Sequence, residues 1–179
     1  CHHDLLLPAF PLCLSWMDCP VDGKNGGHAN CVAVGTMYPG IEIWDLDVID
    51  AVEPVATLGG YTQEDIDGGG DSDSEDDEAA PKSWKSKSKK SAKKPSKKAA
   101  KKKPTLRADS HSDAVLGLSW NSSFRNVLAS ASADHTVRVW DITTQKTQHI
   151  LTHHDGKVQA VEWNPAEPTV LLSGGFDHK

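Results

Sequence analysis

The chain repeats itself. Residues 111–136 lie over residues 154–179 at a fixed shift of 43: His111 falls on His154, Val115 on Val158, Trp120-Asn121 on Trp163-Asn164, Leu128 on Leu171, Ser130 on Ser173 and Asp134 on Asp177. A period in the low forties leaves few folds open, because each period must be one supersecondary unit, about four strands, that buries its faces only by stacking on neighbours. The pattern inside a period agrees. Val115, Gly117 and Ser119 alternate with Leu116, Leu118 and Trp120, and residues 121–126 supply a polar turn. A second run, 127–132, leads through Ala133-Asp134-His135 into a third ending at Trp140, where Val137 and Val139 flank an Arg138 that reads as exposed. Short β-rich runs at turn-marked spacing predict an all-β array.

A third copy lies upstream. Residues 32–36 align on 128–132, Ile41-Glu42-Ile43 on Val137-Arg138-Val139, and Trp44-Asp45 on Trp140-Asp141. Trp44 precedes Trp140 by 96 residues, one period plus 53, so an insertion of about that size interrupts the array. Composition places it. Residues 61–81 carry nine acids and no base, whereas 82–107 carry twelve lysines plus Arg107 and no acid. Few apolar residues and dense like charge prevent burial that offsets chain entropy, so this segment is expected to be disordered. Its cost to the fold is small. Between Asp45 and His111 lie 65 residues, against 12 between Asp141 and His154, and loop-closure scaling puts that extension at about 1.5 kcal/mol. The expected organisation is partial repeat material over 1–60, the charged insertion over 61–109, a full repeat over 110–153 and a truncated repeat over 154–179.

The stretches "HSDAVLGLSW", "NVLASASADHTVRVWD" and "VAVGTMYPGIEIWD" resemble the WD-repeat β-propeller family. The charged insert after the first WD pair is similar to one branch of it, whose members are implicated in ribosome biogenesis and nucleolar chromatin. The resemblance covers roughly residues 1–60 and 110–179. It implies a scaffold that presents propeller loops to protein partners, needing neither cofactor nor metal. A closed propeller needs about four to eight blades, so three partial repeats are expected to be a piece of one, with open strand edges prone to aggregation.

The resemblance also implies a role for the polar residues. His111, a serine, Asp134 and Trp140 look like a nucleophilic constellation, but in the WD-repeat family such types form a hydrogen-bonded tetrad that fastens the strands of a blade. Ser130 or Ser132 could supply the hydroxyl. The repeat favours Ser130, because Ser173 matches it while Gly175 replaces Ser132. The third repeat offers the partial set His154, Ser173 and Asp177. The first has Val34 and Tyr38 at the serine and aspartate positions and is expected to rely on apolar packing. The glycine that usually precedes the family's histidine is replaced by Ser110 and His153, which blurs repeat boundaries by a residue or two.

Other chemistry is thinly represented. His2-His3-Asp4 and His153-His154-Asp155 lack a cysteine pair or a His-Glu-x-x-His helix, so neither is expected to bind metal. The chain has no phosphate-binding loop, dinucleotide fingerprint or nucleophile elbow. Cys1, Cys13, Cys19 and Cys31 show no C-x-x-C spacing and are read as reduced structural thiols of a cytosolic or nuclear protein. The apolar run 5–14 is broken by Pro8 and Pro11 and follows no basic segment, so it reads as a loop entering a strand that ends at Trp16 rather than a signal sequence. No stretch is long enough to span a membrane.

Outside residues 61–107 the chain has six bases against sixteen acids, a surface ill-suited to gripping nucleic acid. That leaves the lysine tract: Lys82, Lys85, Lys87, Lys89, Lys90, Lys93, Lys94, Lys97, Lys98, Lys101, Lys102 and Lys103. Exposed clustered charge serves as a nuclear or nucleolar address. It also suits salt-sensitive contact with RNA, DNA or histone assemblies without base readout. A plain solvated spacer is the third reading, and Trp84, the one aromatic among the lysines, reads as incidental. Ser72 and Ser74, each with an acid three residues on, are phosphorylation candidates whose added charge would lie beside the lysines. The expected function is a non-enzymatic nuclear or nucleolar scaffold in ribosome biogenesis. The alternative is a chromatin- or nucleic-acid-binding regulator acting through the lysines. A ubiquitin-ligase adaptor is disfavoured, because Asp47 and Thr143 stand where such WD proteins carry arginine.

Overall fold

The computed structural model describes residues 5–21, 27–62 and 105–179. Its described residues form ten strands in three antiparallel sheets, in agreement with the all-β expectation. The first sheet runs β1 (Pro11–Met17), β2 (Cys31–Thr36), β3 (Ile41–Asp45) and β4 (Ala56–Leu58), each beside the next. The second repeats that meander with β5 (Val115–Trp120), β6 (Val127–Ser132), β7 (Val137–Asp141) and β8 (Lys146–Leu151). The third comprises β9 (Val158–Trp163) and β10 (Leu171–Gly175). Registers repeat as well: Trp16 pairs with Val32 and Val32 with Trp44, just as Trp120 pairs with Leu128 and Leu128 with Trp140.

The sheets stack like blades. The first strands lie innermost, with β1 on β5 and β5 on β9. One apolar cluster joins the first two blades, setting Met17, Ile41, Ile43 and Leu58 against Val115, Leu128, Trp140 and Ile142; a second sets Ala129, Ala131 and Val137 against Val158 and Val161. This explains why β6 is buried along almost its whole length instead of alternating: both of its faces meet a neighbour. Close approach demands small residues. A Cβ on Gly117 would sit 2.7 Å from the Gln159 carbonyl oxygen, backbone that cannot step aside.

Polar rungs tie adjacent inner strands. The Trp120 N–H donates to Ser15 Oγ at 3.0 Å, and the Trp163 N–H donates to Ser119 Oγ at 3.1 Å. The same Ser-Trp dipeptide therefore hands a hydrogen bond from each blade to the next; in the third blade Glu162 takes the serine's place.

Two expectations need correction. Arg138 is buried, with 9% of its surface exposed, because a strand packed on both sides has no solvent face. Its Nη1 donates to the Asp109 carbonyl at 2.8 Å, an oxygen that also accepts from Thr147 Oγ1. The insertion is also shorter at both ends than 61–109. Tyr61 bridges Leu106, the Thr62 N–H donates to Thr105 O at 2.9 Å, and the Arg107 N–H donates to Gly60 O at 3.0 Å. Arg107 Nη1 reaches Thr57 O and Ser110 Oγ accepts from the Gly60 N–H. Backbone pairing, to which composition is blind, draws these flanks into a two-stranded stem.

Candidate functional site

The polar residues singled out by the repeat converge between the strands of the second blade. His111 precedes β5, Ser130 lies in mid-β6, Asp134 is in the β6–β7 turn and Trp140 is near the end of β7. Trp140 Nε1 donates to Ser130 Oγ at 2.8 Å, Ser130 Oγ lies 2.7 Å from His111 Nε2, and His111 Nδ1 lies 2.9 Å from Asp134 Oδ2. One proton arrangement satisfies every atom: neutral His111 donates from Nδ1 to the carboxylate and accepts the serine hydroxyl proton at Nε2. Ser132 does other work. Its hydroxyl donates to the Ala114 carbonyl at 2.9 Å and accepts from the Asp134 N–H.

Electrostatics follow from burial. Desolvation lowers the His111 pKa, against the opposing pull of Asp134. Burial alone would raise Asp134, but hydrogen bonds from His111, Thr136 and the Ser112 backbone hold its carboxyl well below the usual carboxylate range. In the third blade, His154 Nε2 lies 2.9 Å from Ser173 Oγ, and His154 Nδ1 lies 3.0 Å from both Asp177 carboxylate oxygens. Despite desolvation, the hydrogen bond to His154 draws Asp177 down to about 2. His153, in the place of the family's glycine, sets Nε2 3.0 Å from the same Ser173 oxygen.

A Ser–His–Asp relay is the connectivity of a hydrolase, so access decides what it can do. Ser130 and His111 each have 0% of their surface exposed, as does the Trp140 indole that closes over the serine. A nucleophile must reach a carbonyl carbon and its base must release the proton to a leaving group; here the serine oxygen meets only an indole and an imidazole. In the third blade, an open cleft of about 500 Å³ borders Ser173 beside Leu172, Gly174 and Ala160. Cys13 of β1 and Gly117 and Leu118 of β5 line it as well, so it runs along the inner strands.

The first blade shows what the sequence reading missed. With valine at the serine position, the buried Trp44 indole donates to Glu42 Oε2 at 3.1 Å, and burial raises the Glu42 pKa against that bond. A glutamate two residues before the tryptophan, where the second blade has Arg138, was the available signal. Ser110, in the glycine position, is buried and joins blades: its hydroxyl donates to the His111 carbonyl at 2.8 Å while accepting from the Gly60 N–H. The WD aspartates cap turns, Asp141 Oδ1 accepting from the Thr143 N–H and Asp45 Oδ1 from the Asp47 N–H.

The remaining sequence candidates divide. His2, His3, Asp4, Ser72, Ser74, Trp84 and the tract Lys82–Lys103 lie outside the described residues. Cys13, Cys19 and Cys31 are free thiols, and burial pushes Cys13 and Cys31 up to about 11, which keeps them protonated. Among the described residues no three His, Cys, Asp or Glu side chains gather in a metal-binding group, and no helix is long and apolar enough to cross a membrane.

Comparison with known proteins places this geometry. The WD domain, G-beta repeat model matches residues 102–141 and 145–179. The chain is 39% identical to periodic tryptophan protein 1 of Saccharomyces cerevisiae over 99% of its own length and 27% of that protein's. Over 41% of its length it is 36% identical to a ribosome biogenesis protein WDR12 homolog of Trichoplax adhaerens, covering 17% of that relative. It thus spans well under a third of either. Among solved structures, a chain in a crystal structure of the mitotic checkpoint complex superposes with a TM-score of 0.51 at 21% identity, over 91% of this chain and 32% of that one, a likeness of fold alone. The repeats, their stacked four-stranded sheets and the near-complete alignment agree: the chain belongs to the WD-repeat β-propeller family and is akin to periodic tryptophan protein 1.

Proposed function

We propose that this chain is part of a non-enzymatic nuclear scaffold that organises protein assembly in ribosome biogenesis. The observation that carries the scaffold reading is the sealed relay of the second blade: His111, Ser130 and Trp140 are buried between strands and hydrogen-bonded to one another. They act as the blade's fastener, leaving the loops to meet partners. The ribosomal assignment is supported by the likeness to a relative named for ribosome biogenesis and by the kinship with periodic tryptophan protein 1. Nucleolar residence follows from the lysine tract acting as an address.

A second reading has its own observation. Twelve lysines and Arg107 stand within residues 82–107 without an acid, a charge density that suits RNA, DNA or chromatin phosphates. Phosphorylation at Ser72 and Ser74 would then compete with those phosphates for the lysines.

One experiment separates the two. In the full-length parent protein, residues 63–104 are replaced by a short turn, and nucleolar enrichment, preribosomal co-sedimentation and ribosomal-RNA crosslinking are recorded together. The scaffold reading expects co-sedimentation of whatever fraction reaches the nucleolus, with address alone impaired. Loss of RNA crosslinking and co-sedimentation, when a heterologous nuclear signal restores localisation, moves the function to the lysines.

A further inference from the structure

Each complete blade joins its third strand to its fourth around the outer rim, and the two connections differ in a way the fold does not require. In the second blade, residues 142–145 suffice between β7 and β8, and Thr143, Thr144 and Gln145 are exposed and polar. In the first, residues 46–55 span β3 to β4. This longer loop holds apolar side chains in water: Ile49 is 70% and Val52 88% exposed, with Val48 and Val55 each about half exposed. Asp47, Asp50 and Glu53 are interleaved with them, and no base occurs between 46 and 55.

The loop is anchored at both ends. The Val55 N–H donates to Ile43 O and the Leu46 N–H to Asn30 O, both at 2.8 Å, while Asn30 Nδ2 donates to Asp47 Oδ1 at 3.1 Å. Asp50 turns the chain at φ 56°, a left-handed conformation that aspartate tolerates and β-branched neighbours do not. Ile49 and Val52 thus lie between two anchored ends, outside the apolar clusters of the core.

We propose that the 46–55 loop is a docking element for a partner protein that presents an apolar cleft rimmed by lysine and arginine. Branched apolar side chains fill such a cleft, and the three acids match its rim, steering encounter and fixing register. The same acids repel nucleic-acid phosphates and anionic lipid, and a second copy of the loop would set acid against acid. The inference rests on the scaffold reading only in requiring a protein partner.

The test uses the full-length parent protein in cells, with benzoylphenylalanine in place of Ile49 or Val52, and of Thr144 in the shorter loop as control. The expected result is one recurring partner, crosslinked from the first two positions and not from the third, through apolar residues flanked by Lys or Arg. With that partner purified, Val52→Asp weakens binding at least about tenfold while the melting temperature of the full-length protein stays put. Asp50→Lys combined with Glu53→Lys weakens binding and flattens its salt dependence. Crosslinks into another blade of the same chain, into a second copy, or into no recurring protein overturn the proposal. Excising 63–104 leaves these crosslinks in place, so this inference and the ribosomal reading fail separately.

Discussion

Ser130 works as a hinge of hydrogen bonding: it accepts from the Trp140 indole and donates to His111, all three fully buried. Ser130→Ala strands two polar groups at once. Each unpartnered buried group costs about 1–3 kcal/mol, so a loss of roughly 2–6 kcal/mol is expected, seen as a lower urea midpoint with unchanged slope. A loss under about 0.5 kcal/mol would show that the network does not fasten the blade. The same residues set an acid limit. With the His111 pKa lowered by burial, the unfolded chain binds that proton first, so its contribution is full above the unfolded value of about 6.5 and is lost as pH falls from there through the lowered folded value. Asp134, held low, contributes fully above its unfolded value of about 4 and loses that below it. Protonating His111 also leaves the serine hydroxyl proton without an acceptor. Urea midpoints should hold from pH 8 to 7 and decline on the way to pH 4. A midpoint that stays level from pH 8 to 5 contradicts this account.

At the scale of elements, the stem that closes residues 63–104 makes the insertion separable. Gly60–Thr62 and Thr105–Arg107 already pair as neighbouring strands, so Asn-Gly in place of 63–104 completes a two-residue hairpin. The melting temperature should move by no more than about 2 °C, because loop-closure entropy changes slowly with length. A fall of about 10 °C would mean that the insertion packs on the blades. The stem also illustrates what could be read beforehand. A period of 43, alternation from Val115 to Trp120 and the matched Ser130 and Ser173 exposed the inner three strands and the relay, because those features recur and recurrence can be aligned. Alternation places Arg138 on a wet face, and a blade in mid-array has none. The outer strands β4 and β8 bury little apolar surface, that of Ala56 and Leu58 with part of Ile150 and Leu151, too little pattern to detect. The Trp44–Glu42 bond stands where the alignment predicts apolar packing alone, and backbone pairing at the stem leaves no compositional trace.

For the whole molecule, the array shows apolar surface at both of its flanks: Leu14 and Trp16 on β1 are 63% and 60% exposed, and Leu172 on β10 is 72% exposed. Patches of this kind on strands drive association. Residues 1–179 alone should therefore sediment as concentration-dependent oligomers, and Trp16→Lys with Leu172→Lys should shift them towards monomer. A monodisperse monomer at high concentration would be the contrary result. The Ser-Trp rungs add a direction to this array. Ser15 presents its oxygen to Trp120, and Ser119 to Trp163, always from the earlier blade to the later. Since domains are laid down from the N-terminus during synthesis, every acceptor is already displayed when its donor leaves the ribosome. Along this chain the rungs therefore run in the order of synthesis, each nascent blade meeting an acceptor already in place on the one before.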